Sequence, residues 1–274
     1  MLDPHNPKMN HLLALLPQAE YESLLPHLES VSMQQGTIIS NCGEGCRYVY
    51  FPVSCIVSML YTTKEGASAE IATVGNEGMV GIAQVLGGGT TNTLATVNHA
   101  GQAYRLKVAI LQQEQERSPA LQNVLLHYAQ ALLTQIAQIA VCNRHHSIAQ
   151  QICNWLLLRL DRLPSNLVRT THGLIAVMLG VRREGVTSAL GQLQADGLIR
   201  CRRGQITVLD RSELEMRSCE CYEVVKGEFS RLLRGDPMVQ GEMEETAELG
   251  RPLVINRFTR PVRNPTPMPA PAIA

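Results

Sequence analysis

Aromatic side chains are scarce in this chain of 274 residues: three Phe and one Trp, with aromatics at 4% in all. The cores must be built from Leu, Ile, Val, Ala and Met, and stacked-base platforms for single-stranded nucleic acid are not expected. Net charge is missing too, because 24 Lys and Arg balance 24 Asp and Glu. The whole-chain balance thus argues for neither a nucleic-acid nor a membrane partner. No unbroken apolar run reaches membrane-spanning length, and the first thirty residues hold no charged segment ahead of an apolar core. Neither a membrane helix nor an export signal is expected. The eight cysteines (Cys42, Cys46, Cys55, Cys142, Cys153, Cys201, Cys219, Cys221) lack the spacing of a disulfide framework, so reduced thiols are the default. Neither a Ser/His/Asp arrangement nor a carboxylate pair stands out. These absences describe a cytoplasmic protein that is not an enzyme, needs no cofactor and has no membrane partner.

What is present is enough apolar material, 45% of residues, for roughly two domains at about 150 residues each. The zero net charge also hides a gradient. Residues 1–118 carry −4, 119–169 carry +3, 170–211 carry +3 and 212–274 carry −2. Two basic islands in an otherwise acidic chain read as a local anion-binding face.

The texture changes along the chain. His11 to Leu28 places Leu12, Leu15, Leu16, Tyr21, Leu24, Leu25 and Leu28 near helical spacing around Pro17, which predicts two short helices. From Val31 to Leu106, runs such as 48–51, 56–61, 69–74, 93–97 and 103–106 recur between glycines, as in an antiparallel sandwich or roll. At Ser118-Pro119, a plausible N-cap and first helical position, the period switches to a long helix interrupted near 143–147. Within it Leu121, Leu125, Tyr128, Leu132, Gln135, Ile139 and Cys142 alternate steps of four and three, an a/d seam. Its narrowness and the polar Gln135 favour self-association into a symmetric dimer; the competing reading is a helix lying on its own domain's core. A second helix from Ile148 is predicted to run to Leu163, before Pro164.

Residues 171–199 carry the most information. A helix at about 172–179 turns Ile175 and Met178 inward, Gly180 makes a tight turn, and a second helix at about 182–195 turns Val186, Leu190 and Leu193 inward. This is the spacing of a helix-turn-helix, with small Ala176 at the crossing. Arg182, Arg183, Glu184, Thr187, Ser188 and Gln192 fall outward on the second helix, where donors and acceptors could meet a major groove. Two short strands then flank Arg203-Gly204-Gln205, a wing with Arg200, Arg202 and Arg203 able to touch phosphates. The bland alternative is an ordinary helical hairpin with solvated arginines.

The order of roll, long helix, helix-turn-helix and wing resembles bacterial transcription regulators of the cAMP receptor protein and fumarate–nitrate regulator (Crp/Fnr) family over about residues 10–234. The residues that carry the resemblance are Phe51-Pro52, Glu70-Ile-Ala-Thr-Val-Gly-Asn-Glu-Gly-Met-Val-Gly81 and Leu179-Gly-Val-Arg-Arg-Glu-Gly-Val186. It implies an α+β fold: a cyclic-nucleotide-binding-like β-roll (jelly roll) over 10–118, a dimerisation helix over 119–145 and a winged helix-turn-helix over 146–234. It also implies a homodimer on palindromic promoter DNA, with RNA polymerase as a further partner. By position Arg183 and Glu184 match the family's base-reading pair, Arg183 suited to guanine and Glu184 to cytosine. Ser188 stands where the cAMP receptor protein has a third reader, an arginine. Phosphate contacts are expected from Arg182, Thr187, Arg200, Arg202 and Arg203.

The resemblance also has gaps. Where cAMP-binding members carry a glutamate for the ribose and an arginine for the cyclic phosphate, this chain has Ile82 and the neighbourhood of Asn92-Thr93. Losing that guanidinium contact costs about 1.5–3 kcal/mol, so the effector is expected to be an unidentified small molecule other than cAMP, or none. Gly87-Gly88-Gly89 lacks the lysine of a phosphate-binding loop and reads as a flexible connection. The pairs Cys42/Cys46 and Cys219/Cys221 offer two soft ligands each, short of a tetrahedral set. Cys142, His145, His146 and Cys153 near the helix break read as a capped break, and no metal site is expected. Half of the 14 prolines lie beyond Leu233, so 235–274 is expected to be a disordered tail. The remaining alternative for the whole chain is a ligand-sensing module whose winged region contacts protein rather than DNA.

Overall fold

In the computed structural model, residues 6–234 are described; the Pro-rich tail expected over 235–274 lies outside them. Two short helices open the chain, α1 (His11–Leu15) and α2 (Gln18–Leu24), as the leucine spacing predicts. Asn10 fixes their start. Its side-chain oxygen accepts from the amides of Leu12 and Leu13, while its amide group donates to the carbonyls of Pro52 and Gly78. A fully buried asparagine is tolerated because these contacts satisfy both its ends.

Seven strands make the roll: β1 (Glu29–Met33), β2 (Ile38–Ser40), β3 (Tyr48–Pro52), β4 (Ile56–Thr62), β5 (Ser68–Val74), β6 (Leu94–His99) and β7 (Gly101–Lys107). They pair antiparallel in two sheets, β1-β7-β3 and β2-β6-β4-β5. Between β5 and β6 sits one turn of helix, α3 (Ile82–Val85). β1 is not legible in the sequence, because only Met33 of its five residues is buried. The helix α4 (Val108–Arg117) is likewise unforeseen, since it buries Leu111 alone.

α5 (Pro119–His145) starts at the predicted Ser118 cap, whose hydroxyl accepts from the Leu121 amide. By length and composition it is apolar enough to cross a membrane, and a third of its apolar window is buried inside the fold. The break expected near 143–147 falls at His146, and Ser147 with Gln150 forms a capping box that starts α6 (Ile148–Leu160). The second domain continues through β8 (Leu167–Val168), α7 (His172–Leu179), α8 (Arg183–Ala195), β9 (Ile199–Arg202), β10 (Gln205–Val208), α9 (Arg211–Met216) and α10 (Glu220–Arg234). Its sheet has order β8-β10-β9, one strand more than the predicted wing.

α10 joins both cores. Tyr222 and Val225 belong to the second domain's core with Ile152 and Leu156, whereas Leu233 belongs to the core that holds Leu24, Phe51 and Tyr128 of α5. Phe229 meets the Tyr128 ring edge-on at 6.5 Å.

Within the single chain, the seam residues of α5 face the protein's own interior. Leu121, Leu125, Tyr128, Leu132 and Gln135 are all buried within the single chain, and Ile139 is half-buried. Tyr128 donates to the Met79 carbonyl at 2.8 Å, and Gln135 accepts from the Thr73 amide at 3.3 Å. The side-chain oxygen of Gln135 is thus answered by the roll's own backbone, while its buried amide nitrogen has no partner. The same four-three arithmetic recurs on the opposite side through Leu126, Gln130, Leu133, Ala137 and Ala140, all exposed, with Leu133 at 60%.

The stretch from Glu70 to Gly81 clasps the roll to the helices that follow. The buried Glu70 carboxylate accepts from Arg159 of α6 at 2.7 Å and from Ser58 at 2.8 Å. Glu77 accepts from Arg162 at 2.7 and 2.8 Å. A methyl group at Gly78 would stand 2.5 Å from the Tyr128 ring, and one at Gly75 would stand 2.8 Å from the Arg162 side chain. Only glycine admits these approaches.

Candidate nucleic-acid interface

Thr171 caps α7, its hydroxyl accepting from the Leu174 amide. Gly180 ends that helix at φ +65°, the left-handed turn that a side chain would strain. α8 then starts after Arg182, whose side chain makes no cap, so the first amides of the helix keep no side-chain acceptor. Ile175, Ala176, Met178, Val186, Leu190 and Leu193 are buried as the spacing predicts. The outward face is therefore set by the inward one: Arg183, Glu184, Thr187 and Ser188 are exposed.

The wing hairpin pairs Gln205 with Arg202 across a two-residue turn at Arg203-Gly204, with Gly204 at φ +75°. Arg200, Arg202 and Arg203 are exposed on it. Between the wing and the two helix starts lies a groove of about 360 Å³, lined by Thr171, His172, Arg183, Arg202, Arg203 and Gln205. The structure so brings Arg183 to the same groove as two of the three wing arginines. Arg182 and Arg200 do not line it, nor do Glu184, Thr187 and Ser188.

The charge pattern sets this face apart. Arg105, Arg117, Arg159, Arg162, Arg211, Arg217 and Arg231 each pair with a carboxylate. Among the described residues, Arg182, Arg183, Arg200, Arg202 and Arg203 form no such pair, and neither do the scattered Arg47, Arg144 and Arg169. Guanidinium groups gathered without counter-charges form a patch fitted to phosphate. Sequence reasoning passed over His172, whose Nδ1 lies 3.1 Å from the Thr187 hydroxyl and ties the first helix to the second. It also counted Gln192 as a free outward group, whereas its amide donates to Asp196 at 2.8 Å.

Residues 150–217 match the family of Crp-like helix-turn-helix domains. The chain carries a Crp-like helix-turn-helix domain. Its fold is also shared along most of its length by solved structures of Crp/Fnr proteins. A Eubacterium rectale protein of the Crp/Fnr family of transcriptional regulators superposes with a TM-score of 0.61 at 20% identity, over 77% of this chain and 98% of its own. FixK2 from Bradyrhizobium japonicum gives 0.60 at 18%, over 70% and 98%. A Crp/Fnr-family transcriptional regulator from Thermus thermophilus gives 0.57 at 22%, over 71% and 98%. No curated protein sequence matches the chain.

Ahead of the Crp-like domain, the roll has the cyclic-nucleotide-binding-like architecture. Its inner cavity, beside α3, measures about 30 Å³, against ~300–1,000 Å³ for ordinary ligand sites. Met59, Ile82, Gln84, Thr91 and Thr93 are among its walls, and no basic side chain lines it. Gln84 points its amide at the Gly89 carbonyl, 3.1 Å away, and so ties the glycine connection down.

One further grouping escaped the sequence reading. Cys142 and His146 at the end of α5 meet Cys219 and Cys221 at the start of α10, with all four donor atoms within 4.8 Å of one another. Burial, followed by the neighbouring Cys219 sulfur, pushes the Cys142 and Cys221 thiols well above their ordinary value. His145 is exposed, and Cys153, although buried, stands outside the group. The sequence groups Cys142 and His146 with His145 and Cys153, and Cys219 with Cys221 alone, because Cys142 and Cys219 are 77 positions apart.

Proposed function

We propose that this protein is a cytoplasmic, homodimeric, sequence-specific DNA-binding transcription regulator whose roll does not take cAMP. The observation that carries this reading is the gathering of arginines without carboxylate partners around the starts of α7 and α8 and the wing, while seven other arginines among the described residues are paired. α8 enters the major groove, Arg183 reads guanine, Glu184 reads cytosine and Ser188 reads a neighbouring base. Arg182, Thr187, Arg200, Arg202 and Arg203 hold phosphates beside the groove.

The dimer forms through the exposed stripe of α5, Leu126, Gln130, Leu133, Ala137 and Ala140, in place of the face the roll occupies. Two copies then present two α8 helices about one DNA turn apart, roughly 34–36 Å, to a palindromic promoter site. Signals at the roll or along α5 act by shifting the population of correctly spaced dimers. RNA polymerase is the partner such a promoter complex would meet. The small cavity without a basic wall supports an effector other than a cyclic nucleotide, or none.

A salt series of binding to random and selected duplexes tests the reading. For four arginine–phosphate contacts per protomer the logarithmic slope is expected near −0.9 per contact, steep and shared by all sequences, with enrichment of one palindrome on top. A flat salt response without enrichment would point instead to a module that contacts protein through its wing.

A further inference from the structure

We propose that Cys142, His146, Cys219 and Cys221 form a tetrahedral Cys3His zinc site that clamps the end of α5 to the start of α10. The inference is independent of DNA reading. Its first support is the size of the cluster. A tetrahedron with Zn–S near ~2.3 Å and Zn–N near ~2.0 Å has S···S edges of about 3.8 Å and S···N edges of about 3.5 Å. The Cys142 and Cys219 sulfurs are 3.7 Å apart, and the Cys221 sulfur is 3.6 Å from His146 Nδ1. Two opposite edges of the polyhedron therefore already have their zinc-bound lengths, and the widest separation, within 4.8 Å, leaves about 1 Å to close. An enclosure of that size suits one ion rather than an iron–sulfur cluster.

The surroundings are those of a ligand set. The buried Asn154 amide donates to both Cys219 Sγ, at 2.9 Å, and Cys142 Sγ, at 3.4 Å, while its own oxygen has no partner. Neutral thiols are weak acceptors, whereas thiolates on a cation are strong ones, so a carboxamide buried to serve two sulfurs fits the metal-bound form. His146 turns Nδ1 to the thiols and Nε2 to the Glu220 carboxylate, 3.4 Å away, the carboxylate–histidine relay that orients a ligating imidazole. Gln151 donates to the carbonyls of Cys142 and His146, which pins the backbone carrying two of the four ligands.

All three cysteines are buried and His146 is partly so, which leaves no open coordination position. The site is thus of the structural, closed kind. Binding releases three thiol protons to solvent and leaves a zinc–trithiolate–imidazole group of charge −1. No electrons move. A Cys142–Cys219 disulfide would instead bring those sulfurs to about 2.05 Å and leave Cys221 and His146 unused.

The full chain, purified under reductant without chelator, is expected to hold about one zinc per chain by elemental analysis. Cobalt(II) alone, added to chain stripped of metal, should give the intense visible bands and thiolate charge-transfer absorption of a tetrahedral sulfur-rich site. Zinc should protect three of the eight thiols from a thiol reagent, and a chelator should release them and lower Tm. Cys219→Ser should lose most of the zinc and the chelator-dependent Tm shift. The protection and cobalt measurements need only the natural chain, should that variant fold poorly. Zinc far below stoichiometric with no cobalt spectrum, a Cys142–Cys219 disulfide that persists under reductant, or undiminished zinc in folded Cys219→Ser would overturn the proposal.

Discussion

Arg183 and Glu70 illustrate two opposite uses of charge. Arg183 is exposed and unpaired, so its replacement should leave folding intact and act on binding alone. Arg183→Ala is expected to cost about 1–3 kcal/mol on the preferred duplex and to relax a single base position, read by competition among single-base variants of the site. Equal weakening on every sequence would make Arg183 a phosphate contact. Glu70 is 5% exposed and faces Arg159, itself 1% exposed, whose guanidinium also lies over the Trp155 ring at 3.4 Å. Burial holds the Arg159 pKa below its ordinary value, the nearby Glu70 carboxylate acting against that shift. Glu70→Gln strands the cation in the interior and should destabilise the fold by about 3–5 kcal/mol, seen as a lower urea midpoint with unchanged slope. An unchanged midpoint would mean that water reaches Arg159. The sequence showed Glu70 only as part of a family-like motif; its partner, 89 residues away, is visible only in the fold.

α5 shows how far helical periodicity reaches. Its sequence supports two four-three stripes, one through Leu132 and one through Leu133, and both have apolar members. Nothing local distinguishes a stripe that meets a roll from one that meets a second copy, because each is the same geometric demand on a helix surface. The fold buries Leu132 to 4% and leaves Leu133 at 60%. Leu133→Glu is therefore expected to convert dimer to monomer in analytical ultracentrifugation while keeping helicity and the thermal transition of the protomer. Leu132→Glu should instead abolish the cooperative transition, since a carboxylate would enter the roll's core. If both variants stay dimeric, the interface lies off α5. The helix-turn-helix was legible for the contrasting reason that its inward residues, its left-handed glycine and its outward polar residues are all local to about 30 residues. β1 and α4, which bury one residue each, had no such signal.

The two domains share one continuous body, joined by Glu70–Arg159, Glu77–Arg162, α10 and the packing of Leu60 in the second domain's core. A titratable group also lies close to this junction. Burial, then repulsion from Arg169 of the second domain, holds the imidazole of His99 below its ordinary pKa. As pH falls, the unfolded chain binds this proton first, near about 6.5, so the contribution is complete above that value and is lost as pH falls through the lower folded value. Stability should thus decline on acidification from about pH 7 to 5, and less steeply in His99→Gln, measured by denaturant midpoints across the range. Parallel declines in both proteins would assign the effect to other groups.

Local chemistry in the chain was sufficient for the short-range features: the Ser118 and Thr171 caps, the Gly180 turn, the alternation of the strands and the inward face of α8. Each rests on contacts within a turn or two of chain, where residue type alone dictates backbone conformation and burial. Which side of α5 is covered, that Glu70 meets Arg159, that Gln135 serves the roll backbone, and that four metal-type ligands converge from the ends of α5 and α10 all depend on long-range packing. Such contacts join residues far apart in sequence, and periodicity carries no information about which of two equivalent surfaces a distant segment will cover.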